Sequence, residues 1–90
     1  MPHSDARVLR TRLSNRARIK QIETLVAVAE LGSVNQAAGR LGISQPGVTK
    51  HIQDLEALLG APLFIRHAKG MTLSPTGQDL LATARRILAN

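Results

Sequence analysis

The chain is short, free of cysteine and basic, and these properties exclude several classes of protein. Its 90 residues support one small domain with a modest core, so cover from a second chain is a reasonable expectation. Without cysteine there are no disulfides, thiolate zinc sites or cysteine nucleophiles, and the three histidines lack metal-ligand spacing, so no metal or cofactor is expected. No apolar run reaches membrane length and no signal peptide is visible, which predicts a soluble, cytoplasmic protein without membrane contact. An enzyme is disfavoured, because no nucleophile–base motif or phosphate loop is present.

The positive charge is concentrated at the N-terminus. The formal net charge is +6, and five of the 12 Lys and Arg residues lie within residues 1–18, against the single acid Asp5. Residues 1–17 lack a sustained hydrophobic period, so we predict a flexible basic arm with a short helix around residues 6–13. A solvated leader, a DNA-backbone arm and a transit peptide all remain open for this segment.

Apolar residues then recur at the spacing of one helix face in two consecutive segments. They are Ile22, Leu25, Val26 and Ala29 in the first segment, and Val34, Ala37, Ala38 and Leu41 in the second. The first helix is expected to start near Arg18 and end at Gly32; the second runs from the N-cap Ser33 to Gly42. Because Ser44 is the predicted N-cap of a third helix, the connection is very short, which indicates a helix-turn-helix.

The third helix, predicted over residues 45–59, has a polar side without acids. Its apolar face consists of Val48, Ile52, Leu55 and Leu59, and the opposite side carries Pro46, Thr49, Lys50 and Gln53. A helix that enters the DNA major groove needs an acid-free polar side, an N-terminus at the base edges and cations beside phosphates. A merely solvated helix face is the alternative, and the short turn before this helix weighs against it.

The polar side chains at the start of this helix have distinct predicted roles. The Gln45 amide can pair bidentately with adenine, Thr49 can contact a base edge or a thymine methyl, and Lys50 can reach guanine or phosphate. Gln53, one turn further along, is expected at the DNA backbone. In the second helix, Asn35 is a candidate phosphate contact.

A two-stranded wing is predicted next, with strands at residues 63–66 and 71–73 around a turn. Arg66 can enter the minor groove or bind phosphate, whereas for His67 and Lys69 a plain surface charge cluster is an equal alternative. The single aromatic residue, Phe64, is expected in the core; single-strand and RNA binders usually stack bases on several rings, so duplex DNA is the better target.

A last helix is predicted from the N-cap Ser74 and Pro75 to the end of the chain. Its apolar stripe consists of Leu80, Leu81, Ala84, Ile87 and Leu88. This stripe requires cover, part of it from the first helix and the rest from a second copy, which predicts a homodimer. The helix reaches Asn90 without a stop signal, which favours a fragment of a longer protein over a stand-alone domain.

From about Arg18 the chain resembles the N-terminal DNA-binding domain of LysR-type transcriptional regulators. The resemblance rests on "AVAELGS", "AAGRLGISQP", "LEALLGAPLFIR" and "LSPTG". It implies a mainly α fold: a winged helix-turn-helix with a three-helix core and a two-stranded wing (residues 18–74), then a long dimerisation helix (75–90). It also implies a bacterial, nucleoid-associated regulator that binds an imperfect inverted repeat as a homodimer.

The resemblance implies specific DNA contacts and a missing domain. The candidate DNA-binding residues are Ser33, Asn35, Gln36, Ser44, Gln45, Pro46, Gly47, Thr49, Lys50, Gln53, Arg66, His67 and Lys69. Two of them depart from the family pattern: Gly47 stands where Ala, Pro or Ser is usual, and Lys50 where Arg is usual. The family's C-terminal effector domain is absent from these residues, so a small-molecule effector, and a dimer of dimers, belong to the full-length protein. A winged helix that pairs proteins without DNA is the second class of function.

Overall fold

A computed structural model of the chain describes residues 5–89, which form five helices and one antiparallel hairpin. The elements are α1 (Ala6–Arg16), α2 (Ile19–Leu31), α3 (Val34–Leu41), α4 (Gln45–Leu59), β1 (Phe64–His67), β2 (Gly70–Leu73) and α5 (Pro75–Ala89). The predicted mainly α fold with a two-stranded wing is confirmed. None of the described helices is long and apolar enough to cross a bilayer.

The predicted short helix around residues 6–13 is present as α1, but it packs into the core and is not part of a flexible arm; residues 1–4 of the predicted arm lie outside the described residues. Leu9 and Leu13, one turn apart in α1, are only 3% and 0% exposed. The helix packs against α4 and α5, and Arg12 Nη1 donates a hydrogen bond to the Leu59 carbonyl oxygen at 3.3 Å. Two leucines within an arginine-rich run give no sustained period, so the pattern alone did not reveal this packing.

The helix-turn-helix is defined by caps that lie where the sequence predicted them. Gly32 and Gly42 end α2 and α3 with φ of 66° and 69°, a left-handed conformation that glycine adopts without steric cost. The hydroxyl of Ser33 accepts from Gln36 N at 3.1 Å, and the hydroxyl of Ser44 accepts from the third residue of α4 at 3.0 Å. These caps fix the short connection between α3 and α4.

The wing is anchored at the end of α2. Met71 N donates to the Gly32 carbonyl oxygen at 3.0 Å. A β-carbon at Gly70 would lie 2.3 Å from the same oxygen, so only glycine fits this approach. The strands pair with Phe64 opposite Leu73, and alternation places Phe64 and Arg66 on one face of the hairpin. The wing is therefore held at a defined position beside the helix-turn-helix.

The last helix belongs to the same core, which corrects part of the predicted dimer surface. Leu80 and Ala84 are both 0% exposed within a single chain, because α5 packs against α1 and α2. These two residues are therefore covered without a second copy. Leu81, Ile87 and Leu88 are half-buried and remain candidates for a dimer contact.

Candidate nucleic-acid interface

An open groove between α4 and the wing brings together most of the predicted reading residues. It is lined by Val34, Gln45, Pro46, Thr49, Lys50, Gln53 and Arg66. All of these except Val34 were predicted from the sequence to contact DNA. An adjoining cavity shares four of these lining residues and adds Glu56 and the apolar side chains of Ile52, Phe64 and Met71. Polar and apolar side chains therefore lie side by side between α4 and the wing.

The other predicted contact residues lie around this groove in different settings. The hydroxyls of Ser33 and Ser44 act as N-caps of α3 and α4, as the sequence predicted. Gln36 is exposed at the start of α3. At the wing tip, His67 and Lys69 are exposed, and His67 Nδ1 accepts from Lys69 N at 3.3 Å, so the imidazole helps to shape the turn.

The N-termini of α3 and α4 differ in the backbone N–H groups that they leave free. In the first turn of α4, Pro46 has no N–H, and the Gly47 N–H bonds to the capping hydroxyl. Within the described residues, only the Gln45 N–H of that turn lacks a partner. At α3 both the Val34 and Asn35 N–H groups lack one, and neither first turn contains an acid. The α3 N-terminus thus leaves more backbone N–H groups free than the α4 N-terminus does.

Two of the side chains that were predicted to contact bases are held by other side chains of the protein, which the sequence did not predict. Gln45 Nε2 donates to Asn35 Oδ1 at 2.8 Å, which links α4 to α3. Lys50 Nζ lies 3.2 Å from Asp54 Oδ2, one turn further along α4. The i,i+4 rule could have found the second pair. The first pair crosses the helix-turn-helix, and no local pattern indicates it.

Glu56 and Glu30 are engaged by other groups of the protein. Glu56 Oε2 accepts from the Leu63 backbone N at 2.8 Å and so fixes the chain entering the wing. Glu30, at the C-terminal end of α2, pairs with Arg40 and Arg85. The hydrogen bond from Arg40 is the largest of the causes that lower the pKa of Glu30; desolvation opposes it, and the charges of Arg40 and Arg85 lower the pKa further. Arg40 is thus occupied by an acid of the protein.

Arg12 of the arginine-rich α1 lies away from the N-terminal end of α4, which carries the predicted DNA contacts. Arg12 contacts the carbonyl oxygen of Leu59, the last residue of α4. The 15 residues of α4 place Gln45 about 21 Å from that end at 1.5 Å per residue. This position gives no support to a DNA-backbone role for Arg12.

Comparison with known proteins assigns the fold and its surface to a family. The pattern of "Bacterial regulatory helix-turn-helix protein, lysR family" matches residues 19–78. Over 71 residues the chain is 48% identical to the transcriptional regulator TfdT of Cupriavidus pinatubonensis, covering 79% of this chain and 31% of that protein. It is 41% identical over 75 residues to XapR of Escherichia coli, covering 83% of this chain and 26% of that protein. The chain thus spans less than a third of the length of these curated relatives.

Two similar solved structures are of domains in complex with DNA. The CbnR DNA-binding domain–DNA complex matches with a TM-score of 0.77 and 43% identity, over 80% of this chain and 83% of that one. The BenM DNA-binding domain with catB site 1 DNA matches with a TM-score of 0.77 and 33% identity, over 81% of this chain and 82% of that one. This chain belongs to the LysR family of bacterial regulators and carries that family's helix-turn-helix DNA-binding domain.

Proposed function

We propose that this chain reads duplex DNA in a sequence-specific manner, as the DNA-binding part of a bacterial transcriptional regulator. The observation that carries the proposal is the convergence of Gln45, Thr49, Lys50 and Arg66 on one open groove. The DNA complexes of the related CbnR and BenM domains support it. No enzymatic activity is proposed.

In this proposal the N-terminal half of α4 lies in the major groove. The Gln45 amide matches the N6 and N7 edge of adenine, and Thr49 lies one turn further along the same side. The Lys50 side chain is 75% exposed, so its ammonium can exchange Asp54 for a guanine edge or a phosphate. The free N–H groups at the start of α3 would bind a phosphate and set the register of α4.

The wing would contact the DNA beside the major-groove site. Arg66 is exposed at the same groove as α4, and no described acid pairs with it. A guanidinium in that position can hold a phosphate or enter a narrow minor groove. His67 and Lys69, at the tip, would add phosphate contacts.

Dimerisation and the wider regulatory role are part of the proposal. Two copies of this domain would bind the halves of an imperfect inverted repeat, paired through the half-buried residues Leu81, Ile87 and Leu88 of α5. The rest of such a regulator would bind a small-molecule effector and extend the assembly to a dimer of dimers. The protein would act at the nucleoid, in the cytoplasm.

The test uses two substitutions with matched controls. DNA selected from a random pool defines the preferred site, and binding is then measured for Lys50→Ala and Gln45→Ala. Each lost bidentate base contact should cost about 1–3 kcal/mol, or roughly 5- to 150-fold in discrimination. The controls are Lys20→Ala, which removes another exposed lysine with an acid partner, and Gln78→Ala on α5; both should bind like the unchanged chain. Unchanged affinity and base preference in both test variants would refute the assignment.

Salt dependence separates this function from a winged helix that only pairs proteins. Each neutralised phosphate steepens the fall of log K against log salt by about 0.9. We expect a slope that corresponds to several phosphates. A flat dependence would favour a protein partner instead.

A further inference from the structure

The contact between Asn35 and Gln45 connects the two helices of the helix-turn-helix at the DNA-reading end. Asn35 Oδ1 accepts from Gln45 Nε2 at 2.8 Å, across a sequence separation of 10. Among the described residues it is the one side-chain-to-side-chain hydrogen bond between α3 and α4. Both residues are exposed, so the contact is not needed to satisfy a buried polar group. The pair therefore calls for an explanation other than core stability.

The bond restricts the orientation of the Gln45 amide. A primary amide has two N–H donors and one oxygen acceptor. With one N–H bonded to Asn35, one N–H donor and the Oε1 acceptor remain, and a bidentate pair with N7 and N6 of adenine needs one donor and one acceptor. A free glutamine side chain loses considerable rotamer freedom when it binds, and a side chain already held in place loses less.

We propose that Asn35 is a positioning residue for base reading: it acts through Gln45 and not through a phosphate. The inference rests on the proposed DNA-binding function and refines it, because the resemblance to the family implies only a backbone contact near residue 35. Base preference at the position read by Gln45 is then a property of the pair of residues. The backbone N–H of Asn35 remains available to a phosphate, since the contact uses only side-chain atoms.

A positioning role and a phosphate role predict different results for two substitutions. Asn35→Ala removes the acceptor, so preference at a single base pair should fall by roughly 3- to 10-fold while the salt slope is unchanged, on the scale of glutamine rotamer freedom. Asn35→Asp keeps the acceptor and adds a negative charge, so preference should persist while affinity falls for every sequence. A phosphate contact predicts instead that Asn35→Ala weakens binding to all sequences alike and leaves base preference unchanged. Asparagine is neutral and displaces no counterion, so the salt slope stays the same in both cases and base preference distinguishes them.

The experiment is a double-mutant cycle on base preference. The full chain, Asn35→Ala, Gln45→Ala and the double variant are titrated against the selected duplex and against duplexes with single base-pair changes, at several salt concentrations. We expect Asn35→Ala to lose preference at the same base pair as Gln45→Ala, and the double variant to match Gln45→Ala. Asn15→Ala, an exposed asparagine of α1, is the matched control, and thermal unfolding checks that each variant folds.

Three outcomes would overturn the inference. They are unchanged preference in Asn35→Ala, a loss at a different base pair, and a double variant that loses preference well beyond Gln45→Ala alone. Failure of the proposed function gives a different result, because the unchanged chain would then fail to discriminate among the duplexes at all.

Discussion

Helix α1 should contribute to the stability of the domain, and Leu13→Ala tests this directly. Leu13 is 0% exposed, and the helix packs against α4 and α5. Truncation of a fully buried leucine costs about 2–5 kcal/mol, from lost burial and from the cavity left behind. Small domains have a total stability of about 5–15 kcal/mol, so this single change should remove a large fraction of it.

The measurement is the free energy of unfolding in urea, followed by circular dichroism. Val8→Ala is the control on the same helix, because Val8 is 44% exposed and its truncation should change stability by less than about 0.5 kcal/mol. If Leu13→Ala lowered the free energy of unfolding by an equally small amount, the packing of α1 into the core would be refuted.

The same helix should leave DNA affinity unaffected. Arg12 lies at the end of α4 that is about 21 Å from Gln45, beyond the reach of a phosphate bound at the reading end. Replacement of Arg7 by alanine, an exposed arginine of α1, should therefore leave the salt slope of DNA binding unchanged. A slope reduced by about one would restore the interpretation of this segment as a DNA-backbone arm.

Three further substitutions probe the site and its support. Asp54→Asn should tighten DNA binding by up to about 2-fold, because it releases Lys50 from an exposed ion pair worth at most about 0.5 kcal/mol; equal or weaker binding would contradict this. Glu30→Gln should lower the thermal midpoint near neutral pH. The hydrogen bond from Arg40 lowers the folded-state pKa of Glu30, so its stabilisation is present above the unfolded-state pKa and lost as pH falls through the folded one. The thermal midpoints of Glu30→Gln and of the unchanged chain should thus converge at acid pH. A difference between the midpoints that stays constant with pH would refute the role assigned to the Arg40 hydrogen bond. Gly47→Ala should raise the free energy of unfolding by about 0.5–1 kcal/mol, because the backbone of Gly47 is helical. The new β-carbon would lie 3.2 Å from the capping hydroxyl of Ser44, so that hydroxyl must shift slightly. A loss of stability would show that the hydroxyl cannot make this shift.

The helix-turn-helix and the wing could be predicted because their signals are local. The caps at Ser33 and Ser44 and the glycine ends of α2 and α3 depend on residues within four positions of each other. The acid-free side of α4 follows from helical geometry alone, so its candidate DNA contacts could be proposed from the sequence, and they stay a prediction. The observed strands differ from the predicted ones by about one residue at their ends.

Tertiary structure alone decided the burial of α1 and the cover of α5. In the sequence, Leu9 and Leu13 are isolated leucines within a charged segment and give no helical pattern. In the structure they are buried, because α1 packs against α4 and α5. The sequence predicted that Leu80 contacts a second copy, but the packing of α5 against α1 and α2 buries it within one chain. The contact of Asn35 with Gln45 likewise needs the angle between two helices. Caps and periodicity are properties of a few consecutive residues, whereas burial depends on which distant surfaces meet.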